Sequence, residues 1–387
     1  FVIDRNKFRK AVQRTTSVLA VKETIPMLRY LLLDADGKSL TIVGNDLDVY
    51  HEVMLDDVAS EPFQIGVPGK RLLTGLEMLA DGEVGVRIKD GKFRLKQGKA
   101  SIEMSTVLGV ELPARLALDA IGNSASPMTL INGNLDGTVL SEMIRLTLPT
   151  VSKVEHQGGL DAIVLTQEDG IFSAFSWDFS TSNYATTESP VQTQGRCLLP
   201  QNLASRVIGA LQAADTVKLA QQGTKAFFVL SDGFIAVGQP ERKVPDLTRA
   251  IESQSSRPYK LTVPRETLFR SLTNMMAFCG DKTVVAPVSL SSDDNGELQL
   301  STDTAAGITT LPLGPHEWKG KFPWPVRSFL PAIQRCKADE MVVSWDIRKS
   351  TSPTGKVTRG APITVATQER VGDTVIEFRS FNSGMQF

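Results

Sequence analysis

Three times along the chain an aspartate is followed 22 residues later by a proline: Asp46 and Pro68, Asp178 and Pro200, Asp303 and Pro325. The aspartates themselves lie 132 and 125 residues apart. A marker pair kept at constant spacing, recurring at a near-constant period, is the pattern of a duplicated structural unit. At 387 residues the chain is also too long for one hydrophobic core. We therefore expect three similar domains, 1–122, 123–252 and 253–387, each of ordinary domain size. The polar run from Gly122 to Pro127 reads as the first linker.

Local patterns agree with an α+β class. Asp36-Gly37, Asp90-Gly91, Asp169-Gly170, Asp232-Gly233 and Asn295-Gly296 each sit between alternating apolar runs, the strongest short-range hairpin signal. Pro68 and Pro200 precede the amphipathic stretches GKRLLTGLEML and QNLASRVIGALQ, and proline is tolerated at a helix start. Further helices are predicted at residues 5–14, at 140–148 ahead of Pro149, after Pro264 (RETLFRSLTNMM) and at 327–335. Pro331 interrupts the last of these. Each third thus runs helix, sheet, helix, sheet. Residues 348–360 (RKSTSPTGKVTRG) read as a mobile loop.

The helix predicted at residues 5–14 (RNKFRKAVQR) carries five cations and no acid. At about 100° per residue Phe8, Ala11, Val12, Thr15 and Leu19 share its apolar side, with Lys7, Arg9, Lys10 and Arg14 spread over the other. Formal charge over the six helix windows (5–14, 69–79, 140–153, 199–212, 265–282 and 327–337) totals +12, whereas the chain totals −1. The remainder therefore carries −13. Uneven charge of this kind prepares one surface for a polyanion while the rest stays soluble.

Cys197, Cys279 and Cys336 are few, odd in number and widely separated, so they read as reduced core thiols of a cytoplasmic protein. The three histidines are scattered, and no metal-ligand spacing, nucleotide-cradling glycine loop or nucleophile–base motif is visible. Asp46 and Asp48 resemble a metal-binding pair, but a turn role fits them better. No apolar run approaches the length of a membrane span, and the opening FVIDRNKF lacks signal-peptide features. Neither an enzyme nor a membrane protein is expected, and no cofactor.

TIPMLRYLLL (24–33), LTIVGNDLDV (40–49), VPGKRLL (67–73) and VPDLTRAI (244–251) resemble the bacterial sliding clamp, the beta subunit of DNA polymerase III. The resemblance is strongest in the first third and around Pro245-Asp246. It implies three clamp-type domains, each with two helices packed on antiparallel sheets, in a head-to-tail homodimer that closes into a ring around double-stranded DNA. Twelve helices at about 9 Å spacing enclose a hole roughly 24 Å across, enough for a hydrated duplex. The implied function is a sequence-independent processivity factor that tethers DNA polymerase and is opened by a clamp loader. A clamp-fold scaffold that mainly recruits proteins is the alternative.

The resemblance also names residues. Candidate DNA contacts are Arg9, Lys10, Arg14, Lys22, Lys70, Arg71, Lys153, Arg206, Arg270, Arg327 and Arg335. A pocket for partner peptides would take Leu160, Trp177, Asp178, Pro245, Arg249 and Met385. There the chain departs from the family's Thr-Asp-Gly-His-Arg motif and Met-Pro-Met-Arg ending, having Trp177, Phe179 and Ser180 around Asp178, and FNSGMQF at the end. The dimer contact would join Leu76, Leu79 and Ile102 to Ala277 and Phe278 as exposed apolar edges.

Overall fold

The computed structural model describes residues 1–19, 25–109, 112, 116, 128–151, 161–178, 181–212, 215–240, 257–279, 288–304, 307–318, 320–324, 326–346, 348–351, 357–361, 363–382 and 385–386. One order of elements, strand, helix, four strands, helix, three strands, occurs three times. Its first occurrence comprises β1 (Val2–Asp4), α1 (Arg5–Thr16), β2 (Tyr30–Ala35), β3 (Leu40–Asn45), β4 (Val49–Leu55), β5 (Phe63–Pro68), α2 (Gly69–Glu77), β6 (Glu83–Lys89), β7 (Lys92–Gln97) and β8 (Ala100–Ser105), followed by the short β9 (Val107–Leu108). The second has β10 (Thr129–Asp136), α3 (Gly137–Thr147), β11 (Ala162–Glu168), β12 (Ile171–Trp177), β13 (Thr181–Glu188), β14 (Gly195–Pro200), α4 (Gln201–Leu211), β15 (Thr216–Gln222), β16 (Lys225–Leu230) and β17 (Gly233–Gly238).

The third has β18 (Tyr259–Pro264), α5 (Arg265–Cys279), β19 (Val288–Ser292), β20 (Glu297–Thr304), β21 (Gly307–Pro315), β22 (Lys321–Pro323), α6 (Val326–Arg335) and β23 (Glu340–Trp345). It then adds the hairpin β24 (Arg348–Thr351) and β25 (Val357–Ala361), and closes with β26 (Ile363–Val371), β27 (Thr374–Asn382) and β28 (Met385–Gln386). The expectation of a loop over 348–360 is corrected here: Arg348 pairs with Gly360 and Thr351 with Val357. The mixed Ser/Thr/Lys composition concealed strands that have no apolar alternation.

The repeated markers have a local cause. Asp46 Oδ1 accepts from the backbone N–H of Val49 at 2.8 Å, and Asp178 Oδ1 from that of Thr181 at 2.8 Å. Each carboxylate thereby closes the turn between two strands, β3 to β4 and β12 to β13, which is the turn role expected of Asp46. Pro68 and Pro200 stand at the N-caps of α2 and α4, where no backbone N–H is required. Helix α1 is capped instead by Asp4, whose Oδ1 accepts from Lys7 N–H at 2.8 Å. Among the hairpins, Asp90-Gly91 and Asp169-Gly170 have positive φ at both central positions, as a tight primed turn requires. Pro331 lies inside α6 on an exposed position, where its ring meets solvent.

By spatial proximity the chain divides into two compact units. The first consists of Phe1–Ser141, Thr166–Gly170 and Pro190–Glu241, the second of Glu142–Leu165, Ile171–Ser189 and Arg242–Phe387. In the first unit a four-stranded sheet has the order β1-β6-β7-β8, and a nine-stranded sheet has the order β10-β15-β16-β17-β4-β3-β2-β5-β9. Phe8, Val12, Leu31, Leu72, Leu76, Val84, Phe93 and Leu95 belong to the core shared by α1, α2 and both sheets. The apolar side assigned to α1 is that buried face. Helix and sheet approach so closely that a Cβ at Gly44 would meet Thr15 O at 2.2 Å.

The nine-stranded sheet is continuous because β17 pairs antiparallel with β4, Val49 opposite Val237 and Val53 opposite Gly233. A Cβ at Gly233 would lie 1.9 Å from Glu52 O, so only glycine lets the two backbones meet there. Tyr50 stacks on Phe234 at 5.2 Å on one face of this seam. On the other, His51 is fully buried with Nδ1 3.1 Å from Arg14 O. In the second unit β13 pairs with β27, the corresponding strands of the next repeat, Thr181 opposite Asn382 and Thr186 opposite Glu377.

Burial, reinforced by the Arg14 charge, drives the His51 pKa down from 6.5 to about 3. The folded ring is neutral between those values while the unfolded ring takes a proton, so folding loses stability as pH falls below the unfolded pKa. Urea unfolding at pH 7 and pH 5 should show a loss of about 2 kcal/mol attributable to this ring. His51→Gln should remove that component of the pH dependence.

Candidate nucleic-acid interface

Helices α1, α2 and α4 of the first unit present cations of two kinds. Lys10, Lys70 and Arg71 are exposed, as is Lys7, which the sequence placed on the basic face without naming it a contact. Arg9 is half-buried and its Nη1 donates to Gln13 Oε1 at 3.0 Å, one turn along the same helix. These side chains stand on helices whose opposite faces fill the core, so the backbone holds them in fixed relation. Their charge is available to a polyanion outside the unit.

Arg14 and Arg206 are different. Arg14 is buried, and its Nη1 and Nη2 donate to Asp232 Oδ2 and Oδ1 at 2.6 and 2.9 Å. Arg206 on α4 forms an ion pair with Asp46, whose carboxylate is buried. Both were expected as DNA contacts, and both are instead tied to acids of the neighbouring repeat. A bidentate guanidinium–carboxylate pair fixes geometry as well as charge. Asp46 closes its own turn and holds Arg206, so one carboxylate anchors two elements.

In the second unit, Arg270 is exposed on α5. Arg335 is half-buried at the end of α6 and donates from Nη1 to Arg145 O at 3.1 Å, so it too is partly committed within the fold. Arg145 Nε donates to Glu142 Oε2 at 2.7 Å, and Lys337 Nζ donates to the same oxygen at 3.2 Å. Glu369 accepts from Lys337 N–H at 2.6 Å and lies 3.9 Å from Arg145. Burial and the neighbouring Glu142 carboxylate hold Glu369 above the ordinary carboxylate range. Burial also works against charge on Glu142, but hydrogen bonding to Arg145 prevails and holds that carboxyl below the ordinary range.

Lys22, Lys153, Leu160, Pro245 and Arg249 lie outside the described residues, as do the side chains of Phe278, Arg327 and Met385. Of the pocket candidates, Trp177 is half-buried at the end of β12 opposite Ser182, and Asp178 closes the turn already described. Met385 is placed by backbone pairing with Ala361. For the expected dimer edge, Leu76 and Leu79 are core residues, 0% and 5% exposed, so they offer no free apolar edge. The helical periodicity that singled them out is equally the signature of burial. Ile102 is partly buried against that core, Ala277 is exposed, and Met78 beside Leu79 is 77% exposed. Sequence reasoning passed over Met78 for its buried neighbours.

Cys197 and Cys336 are buried free thiols. Burial pushes the Cys197 pKa up to about 12, and that of Cys336 is also raised, chiefly by burial. No helix among the described residues is long and apolar enough to cross a membrane.

Thrice-repeated antiparallel modules with two helices apiece, joined edge to edge, define the sliding-clamp fold. Solved clamps share it over the whole chain. The Pseudomonas aeruginosa DnaN sliding clamp bound to griselimycin aligns with 100% of this chain and 99% of its own, at TM-score 0.79 and 15% identity. The DNA polymerase III beta subunit of Thermotoga maritima aligns over the same shares at TM-score 0.78 and 14% identity. Residues 1–116 match the family described as DNA polymerase III beta subunit, N-terminal domain.

Among curated relatives, the beta sliding clamp of Pseudomonas aeruginosa is 31% identical over 116 residues, 29% of this chain and 31% of that protein. That of Chlamydia muridarum is 22% identical over 312 residues, 78% of this chain and 80% of that protein. The sequence match to the Pseudomonas aeruginosa and Pseudomonas putida clamps spans only 31% and 52% of their lengths. The first third of the chain thus resembles this family in sequence, and the whole chain has the fold of its solved members.

The distinction between committed and free cations has a thermodynamic readout. Arg14→Ala should lower the free energy of unfolding by about 2 kcal/mol, since it strands the Asp232 carboxylate and leaves a gap beneath β17. Lys10→Gln, Lys70→Gln and Arg71→Gln should each change it by less than about 0.5 kcal/mol. Chemical denaturation of the four variants checks both statements.

Proposed function

We propose that the protein is a DNA sliding clamp, a non-enzymatic processivity factor that encircles duplex DNA as a head-to-tail homodimer and tethers a polymerase to it. The repeats act as three domains, 1–122, 123–252 and 253–387. The observation that carries this reading is the constant position of the seam. The fourth strand of one repeat pairs with the last strand of the next, as β4 does with β17 and β13 with β27. Continued once more, the rule joins β21 to the β8 strand of a second copy. Both strands terminate their sheets, β8 in the order β1-β6-β7-β8 and β21 in the order β21-β20-β19-β22. An interface of this head-to-tail kind closes into a ring when two copies satisfy it reciprocally.

Six repeats would bring twelve helices to the inside, and Lys10, Lys70, Arg71 and Arg270 are the described cations best placed for phosphate. Contacts of this type position the backbone without reading bases, as movement along the duplex requires. They are also weak and salt-sensitive, so retention comes from topology. A ring needs a separate loader to open it. The expected partners are therefore duplex DNA, a polymerase, a clamp loader and a second copy, in the cytoplasm. Trp177, Phe179 and Ser180 around Asp178, together with the FNSGMQF stretch, give the peptide pocket a changed preference.

Retention on DNA tests the ring directly. After loading, the protein should remain on a closed circular plasmid in high salt and be lost when the plasmid is cut once. Equal loss from circle and line would remove the proposal, and partner recruitment without retention would leave only a scaffold. Sedimentation of Met78→Glu should show at least a tenfold weaker dimer than the parent protein, because a charge is placed at the edge that β8 shares with the end of α2.

A further inference from the structure

The sheet β1-β6-β7-β8 has two faces of opposite character. Val84, Val86, Phe93, Leu95 and Met104 point into the core shared with α1 and α2. The alternate positions, turned away from those helices, carry Arg87 and Lys89 on β6 and Lys92, Arg94 and Lys96 on β7, all exposed, while Glu83 at the start of β6 and Asp4 opposite it stand on the same face toward β1. The register sets Arg87 directly opposite Arg94 and Lys89 directly opposite Lys92. Like charges facing each other across a strand pair destabilise a sheet. Two such pairs side by side work against folding, and a local rule broken in this way is expected at a functional surface.

The neighbouring strand supplies one acid. Glu103 accepts from Lys92 Nζ at 2.6 Å and from Arg94 Nε at 3.0 Å, which holds its pKa below the ordinary range. Ser101 and Ser105 flank it on the same face. Lys89 comes within 4.0 Å of Asp90, while Arg87 and Lys96 have no acid paired with them among the described residues. Arg87, Lys89, Asp90, Lys92, Arg94 and Glu103 enclose a depression of about 320 Å³.

We propose that this outer face binds the phosphate backbone of duplex DNA, at a site separate from the helix cations. Cations on one face recur about every 7 Å along a strand, with rows about 5 Å apart, a grid suited to successive phosphates. Lysine, arginine and serine are the side chains that make backbone contacts. This face has no exposed aromatic group and a single exposed large apolar one, Val2 at its β1 edge, so it offers neither a stacking platform for unpaired bases nor an anchor pocket for a peptide. The occupant is therefore a duplex, held without regard to sequence.

Fluorescence anisotropy with a short linear duplex at low salt tests this independently of encirclement. The variant Arg87→Gln/Lys89→Gln/Lys96→Gln leaves the Glu103 ion pairs intact and relieves the cross-strand repulsion, so its thermal midpoint should be at least that of the parent. It should bind the duplex at least about tenfold more weakly, and the slope of log affinity against log salt should flatten by about 2 to 3, since each lost phosphate contact removes about 0.9. Parent-like binding by this variant, with loss confined to Lys10→Gln/Lys70→Gln/Arg71→Gln, would overturn the proposal. So would tighter binding of a single strand of the same length, or of a poly-glutamate peptide, than of the duplex. Retention on circular DNA reads the ring and not this face, so the two proposals fail separately.

Discussion

The pairing of β4 with β17 is the interaction on which the first unit depends. It joins a four-stranded sheet of the second repeat to a five-stranded sheet of the first, giving one sheet with both faces covered at the join. The backbone supplies the continuity, from Gly238 N–H to Asp48 O at one end to Met54 N–H to Asp232 O at the other. Side chains then lock the register. Arg14 reaches from α1 to Asp232 in the turn before β17, and Arg206 reaches from α4 to Asp46 in the turn before β4. The two pairs run in opposite directions across the seam, each repeat contributing one cation and one anion. A slip of one residue would turn His51 and Tyr50 to the wrong faces and separate both pairs.

The corresponding join of β13 and β27 keeps the backbone pattern while replacing its side-chain supports. Asn183 Nδ2 donates to Leu146 O at 2.9 Å and Thr187 Oγ1 to Val375 O at 3.0 Å. Charge is handled nearby by Glu142, Arg145, Lys337 and Glu369. Main-chain pairing is indifferent to sequence, whereas its locks can be exchanged freely. That division explains how a chain so distant in sequence from the solved clamps shares their fold, and why its three repeats resemble one another in element order far more than in residues.

The same division separates what could be read in the sequence from what could not. Asp-Gly turns, helix faces and the Asp-to-Pro interval were legible because each is fixed by residues close along the chain. In the first two repeats the interval records a turn-closing carboxylate and a proline N-cap at the two ends of one strand–strand–helix run; in the third, Asp303 lies within β20 and Pro325 is outside the described residues. Arg14 and Asp232 are 218 residues apart, and nothing local distinguishes a lysine that meets solvent from an arginine that meets an acid. Leu76 and Leu79 were misread for a related reason: an apolar periodicity says that a face is covered, but not by what. The hairpin over 348–361 escaped notice because its strands lack alternation.

Charge bookkeeping by helix therefore overstated one surface and overlooked another. Of the +12 counted in helix windows, Arg14, Arg206, Arg145 and Lys337 are paired with acids of the fold, which leaves fewer unpaired lysines and arginines on the helices. Strands β6 and β7 lie in the remainder that sums to −13, yet they carry five exposed cations on one face, of which Arg87 and Lys96 have no acid paired with them among the described residues. Net charge over a long window averages away such a grid; strand register reveals it, because only register decides whether alternate residues stand on one face. In an α+β chain the field that a polyanion meets is set by the pairing of strands as much as by the composition of helices.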